Sequence, residues 1–98
     1  MIIINKYEFM LIINPAVEAE RQAEILDRLR STIEKASGTI AGVDEWGKRK
    51  LAYEINGLLE GIYVIVTVTA APQAVAEVER VLGITDDVVR FKTLRLKA

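Results

Sequence analysis

Six charged side chains fall within the twelve residues 44–55, DEWGKRKLAYEI, and their chemistry is the first question the chain raises. Paired carboxylates can divide acid and base roles only when both reach the same reacting atom. Asp44 and Glu45 are neighbours in a stretch that reads as a strand, so their side chains point to opposite faces and share no site. Asp86 and Asp87 fall where a turn is expected, a position acids favour by bonding to nearby backbone. Ser31 and Ser37 have no base to activate them, because the chain contains no histidine. It contains no cysteine either, which removes thiolates, disulfides and the usual zinc ligands and suits a reducing compartment. The glycines form no phosphate-cradling loop. These residues assign no catalytic group, no metal site and no cofactor, and the chain is expected not to be an enzyme.

The basic residues are the stronger signal. Seven of thirteen lysines and arginines sit in two short pieces, Lys48, Arg49 and Lys50, then Arg90, Lys92, Arg95 and Lys97. Formal net charge is −1, so attraction to a polyanion must come from such clusters and not from the protein as a whole. Lysines on sheet edges also discourage edge-to-edge aggregation, which is the competing explanation. Trp46 and Tyr53 offer rings to a base or a partner, against the ordinary alternative of core packing.

The elements that carry these residues follow from periodicity. With 51% hydrophobic and 28% charged residues over 98 positions, the chain has the profile of one globular domain, residues 1–98. Its N-terminus lacks the long apolar run and cleavage site of a signal peptide. The most apolar window, Ile62–Ala71, falls well short of the roughly 20 residues of a membrane helix. Tyr7, Phe9, Leu11 and Ile13 alternate with Lys6, Glu8, Met10 and Ile12, as in a central strand. Ala19, Gln22, Ala23, Leu26, Leu29, Ile33 and Ala36 mark a helix, with Gly38 placed for a left-handed C-terminal cap.

Thr39 to Ile55 is too long for an undistorted strand, and Gly47 predicts a bulge or bend near its middle. Leu51, Tyr53 and Ile55 are expected to anchor its end by alternate burial. Asn56 and Gly57, with Gly61 beyond them, supply hairpin chemistry before a strand from Ile62 to Thr69. Pro72 opens a second helix that buries Val75, Val78, Val81 and Leu82, with Gly83 as its stop. The run from Val88 is the fourth strand. The order β-α-β-β-α-β predicts an α+β ferredoxin-like sandwich: a four-stranded antiparallel sheet with both helices on one face and the basic pieces on the two edge strands. An RNA recognition motif stacks bases on aromatics of its third and first strands. Here the third strand offers only Tyr63, so that platform is not expected.

The blocks KYEFMLIINP, VDEWGKRKLAYEI, EGIYVIVTV and DDVVRFKTLRL together resemble the bacterial small-subunit ribosomal protein family number six, in order and over nearly the whole chain. The resemblance implies the same fold and a structural role in the small ribosomal subunit. It further implies binding to the central domain of small-subunit ribosomal RNA together with small-subunit ribosomal protein number eighteen. Carried onto this chain, Lys48, Arg49 and Lys50 become the first candidates for RNA contact and Arg90, Lys92 and Arg95 the second. Met10, Ile12, Trp46 and Phe91 are candidates for the partner protein. The chain departs from the family pattern in the apolar opening Met1–Ile4, in Glu54 where relatives carry proline, and in Lys92. The expected setting is the ribosome in the cytoplasm, without membrane contact, with the free protein a monomer. A ferredoxin-like small-molecule-binding or regulatory domain is the alternative, since this fold hosts many functions.

Overall fold

The computed structural model describes residues 5–55 and 57–96; the expectations for Met1–Ile4, Asn56 and Lys97 lie outside them. Strand β1 (Asn5–Ile13) alternates as its sequence predicts: Tyr7, Phe9, Leu11 and Ile13 are buried, while Glu8, Met10 and Ile12 are half-exposed. Helix α1 (Ala19–Lys35) buries Ile25, Leu29 and Ile33, one residue every four. The expected stripe is therefore rotated. Leu26 packs from the side, but Ala19, Ala23 and Ala36 face solvent, because a row of branched aliphatics buries far more apolar area than a row containing alanines.

The end of α1 differs from expectation in an informative way. Ser37, not Gly38, takes the left-handed conformation, at φ 65°. The Ser37 N–H donates to Glu34 O at 3.0 Å and the Gly38 N–H to Ile33 O at 2.8 Å, the two bonds of a Schellman cap. Gly38 is glycine for space: a Cβ there would lie 2.9 Å from Ile33 Cγ2 and 3.0 Å from Ala70 Cβ.

Strand β2 (Thr39–Ile55) and strand β3 (Leu58–Ala70) form the long hairpin, turning through Gly57 at φ 81°. β3 begins earlier than expected, so Gly61 lies within it and is not a turn residue. Its lack of a side chain makes room for Ile12, whose Cγ2 would be 2.5 Å from any Cβ at position 61. The expected bulge is present, with a register shift between Glu45 and Gly47 and Gly47 at φ 77°. Helix α2 (Pro72–Gly83) opens on proline and buries Ala74, Val75, Val78 and Leu82, with Val81 half-buried and the cap one residue on at Ile84. Strand β4 (Val88–Leu96) completes the sheet.

The sheet order is β2-β3-β1-β4 with every pair antiparallel, so the fold is the ferredoxin-like sandwich that the element order predicts. Directly paired residues share a face, which gives the inner face as rows: Val43, Val66, Phe9, Thr93, then Glu45, Val64, Leu11, Phe91. Phe9, Leu11, Ile13, Leu29, Ile33, Val64, Val66, Val68 and Val78 are fully enclosed, each worth about 1.5–3 kcal/mol of hydrophobic stabilisation. The turn before β4 is tied to the start of α1. Arg21 Nε donates to Asp87 Oδ2 at 2.7 Å, and the Asn14 N–H donates to the Asp87 carbonyl at 2.8 Å. Asp87 thus shapes the turn as expected and adds an ion pair that spans 66 positions of sequence.

Candidate binding face of the sheet

The helices cover one face of the sheet and leave the other open. Register places its side chains in rows across the four strands: Asp44, Ile65, Met10, Lys92, and next to it Gly47, Tyr63, Ile12, Arg90. Each row is apolar in the middle, and each ends on a cation at β4. Glu8 and Leu94 continue the surface toward Lys6 and Leu96.

The bulge decides what β2 contributes. It sets two residues, Trp46 and Gly47, against the single residue Tyr63, which reverses side-chain parity along the rest of the strand. Trp46, next to the inward-facing Glu45, lies on the open face, and the bulge brings Arg49 to the same side; the Trp46 ring is 6.5 Å from that of Tyr63 and within 11° of parallel. The indole N–H donates to Asp44 Oδ2 at 2.8 Å, and the Arg49 guanidinium carbon sits 6.0 Å from the indole centroid, at the edge of cation–π range. Trp46 remains 45% exposed.

Beyond Arg49 the hairpin is irregular. Register jumps from Lys50–Glu60 to Ile55–Leu58, and the intervening residues curl over the open face. Leu51 is buried there, its Cδ2 near Gly61 beside Ile12. Tyr53 reaches the far edge strand, where its hydroxyl accepts a hydrogen bond from Arg90 Nη1 at 2.9 Å. A cleft of about 250 Å³ results, floored by Met10, Ile12, Leu51 and Ile55 and walled by Tyr53, Tyr63, Arg90 and Lys92.

Several expectations about individual residues change. Tyr53 does not anchor the strand by burial; it is 63% exposed and held by Arg90. Lys48, Arg49 and Lys50 do not share one face. Lys48 pairs with Ile62 and Lys50 with Glu60, which puts both on the helix side, whereas Arg49, opposite Gly61, is on the open face. Arg90 and Lys92 share the open face, but Arg95 lies on the helix side, where its Nη2 donates to Asn5 Oδ1 at 3.2 Å. Of the four residues expected to meet a partner, Met10, Ile12 and Trp46 come together on the open face. Phe91 does not: it is opposite Leu11 and packs against the core, bordering the cleft only in part. As expected, the open face carries no aromatic platform on the third and first strands, where Tyr63 stands alone; the ring beside it, Trp46, comes from β2.

The residues that sequence reasoning left out are Tyr63 as a partner for Trp46, and the Tyr53–Arg90 link. The first was within reach: counting the extra residue at Gly47 moves Trp46 and Arg49 to the same side. The second joins positions 37 apart and leaves no local trace. Elsewhere, ion pairs set the helix surfaces. Hydrogen bonding to Arg80 holds the Glu77 carboxyl below the usual carboxylate range, and bonds to Asp87 and Glu24 hold the Arg21 guanidinium in its charged form.

Comparison with known proteins fits this geometry. Residues 6–95 match the family described as Ribosomal protein S6. The small ribosomal subunit protein bS6 of Desulforamulus reducens is 44% identical, with 93% of this chain and 96% of that protein covered. Its counterpart in Alkaliphilus oremlandii is 47% identical, over 95% and 98% respectively. The crystal structure of 30S ribosomal protein S6 from Thermotoga maritima superposes with a TM-score of 0.89 at 33% identity, covering 96% of this chain and 89% of that one. Strand order, chain-length sequence match and superposition agree, and they make this chain a member of the ribosomal protein S6 family.

Proposed function

We propose that this chain binds the central domain of small-subunit ribosomal RNA together with small-subunit ribosomal protein number eighteen, and that the open face of the sheet is where they meet. Family membership makes it a structural protein of the small ribosomal subunit, working in the ribosome in the cytoplasm. The observation that best supports the finer reading is the pair of rows Asp44, Ile65, Met10, Lys92 and Gly47, Tyr63, Ile12, Arg90. An apolar strip bounded by cations suits two occupants at once: a protein on Met10, Ile12 and the cleft, and phosphates on Arg49, Arg90 and Lys92. Lys48, Lys50 and Arg95, on the helix side of the edges, extend the phosphate contacts around the rim. Phe91 supports the partner's surface from beneath.

In this reading the protein acts as one non-catalytic domain and is monomeric outside the ribosome. A chain of net charge −1 adds no overall attraction to its local phosphate contacts, so those contacts alone hold RNA weakly. Covering the apolar strip with a basic partner supplies the remainder, so assembly is cooperative. A gel-shift titration of a central-domain RNA fragment checks this: affinity rises when the partner is present, and equal affinity with and without it contradicts the proposal.

A further inference from the structure

We propose that Trp46, stacked beside Tyr63 and flanked by Arg49, is a seat for one unpaired base of single-stranded RNA. The inference rests on the reading of the open face as an RNA-contacting surface and adds the chemistry of one contact. Near-parallel rings at 6.5 Å form a stepped flat surface, unlike the edge-to-face packing common between rings in cores. The surface is held in place. The indole N–H bond to Asp44 at 2.8 Å fixes the ring's orientation and engages that carboxylate. Among the described residues Arg49 makes no ion pair, so its guanidinium, 6.0 Å from the indole centroid, is free for the phosphate adjoining a stacked base.

A base fits this place better than a side chain of a partner protein. An aliphatic anchor from a protein is better enclosed by the neighbouring cleft over Met10, Ile12 and Leu51. The Trp46 surface is flat, open and edged by Arg49, the arrangement that single-strand binders use to stack bases along a cationic track. A duplex cannot use it, because its bases are already stacked on one another.

Trp46 is the only tryptophan in the chain, so its emission reports on the seat directly. The full chain is titrated with a single-stranded oligoadenylate and with an RNA duplex of equal phosphate number. Binding of labelled oligoadenylate is then measured for Trp46→Leu and Trp46→Phe. Expected are quenching by the single strand and not by the duplex, a loss of about fivefold or more in affinity for Trp46→Leu, and a smaller loss for Trp46→Phe. Quenching of equal depth by the duplex, or wild-type affinity in Trp46→Leu, overturns the base seat. So does emission that responds to the isolated partner protein and not to oligoadenylate, which makes the surface a protein contact. A central-domain RNA fragment with the partner separates the two levels. If the wild-type chain fails to shift that fragment, the RNA reading and the seat fall together; if it shifts the fragment with Trp46 emission unmoved, the seat alone falls.

Discussion

The two faces of the sheet are built by the same four strands, and β1 shows how differently they are used. Phe9 is wholly enclosed against the helices, while Met10, the next residue, lies half-exposed on the open side. Both are large and apolar, so residue type does not distinguish the faces. What distinguishes them is the neighbours in each row: valines, Thr93 and Phe91 around Phe9 and Leu11, with Glu45 at one end the single charge, and Lys92, Arg90 and Asp44 at the ends of the rows through Met10 and Ile12. One face holds the fold together, and the other is left for something outside the chain.

Truncating one side chain on each face separates them most sharply. Phe9→Ala is expected to cost about 3–5 kcal/mol in urea unfolding, since it opens a cavity in a packed core. Met10→Ala is expected to cost under about 1 kcal/mol in the same assay. Comparable losses would mean that the open face also carries the core. The next largest effect is at Gly61, where the open face is tightly packed. Gly61→Ala forces a methyl against Ile12 and should cost about 1–3 kcal/mol. Adding Ile12→Ala should recover part of that, and additive losses in the double-mutant cycle would disprove the contact. Smaller still, Tyr53→Phe removes an exposed hydrogen bond from Arg90 and should change stability by less than about 1 kcal/mol, while loosening the cleft enough to weaken partner binding. The smallest expected effect is on the helices. The folded Glu77 carboxyl lies below its ordinary value through Arg80, so its contribution is present above the unfolded value and fades as pH falls through the folded one. Glu77→Gln should flatten that slight acid dependence in thermal unfolding, leaving stability at low pH unchanged.

The inner face of β1 is legible in the sequence, because Lys6 and Glu8 alternate with Tyr7 and Phe9, whereas Ile62 to Val68 is apolar on both sides and takes its phase from pairing with β1. Strand order follows from element order and handedness. The phase of α1 is harder: Ile25 competes with Leu26 and the alanines for the buried stripe, and only the strands beneath decide. Gly38 illustrates a different limit. A glycine after a helix suggests backbone freedom, yet here it answers to Ile33 and Ala70, which no local pattern reveals. In the sequence Lys48, Arg49 and Lys50 read as one basic run, and the bulge at Gly47 decides which of them reaches the open face. The same alternation that separates Asp44 from Glu45 also separates Arg49 from its two neighbours. The contacts Arg21–Asp87 and Tyr53–Arg90 bring together residues that the fold alone makes adjacent, so composition and spacing hold no sign of them.

Arg49 and Lys50 provide the most direct test that the open face is the binding face, since they are adjacent, both cationic, exposed and on opposite sides of β2. Arg49→Glu and Lys50→Glu make the same change in charge. Each folded variant is expressed at native level, and its incorporation into small ribosomal subunits is quantified on sucrose gradients. Arg49→Glu is predicted to lower incorporation clearly more than Lys50→Glu. Equal incorporation of the two, or a greater loss for Lys50→Glu, would contradict the assignment of binding to the open face.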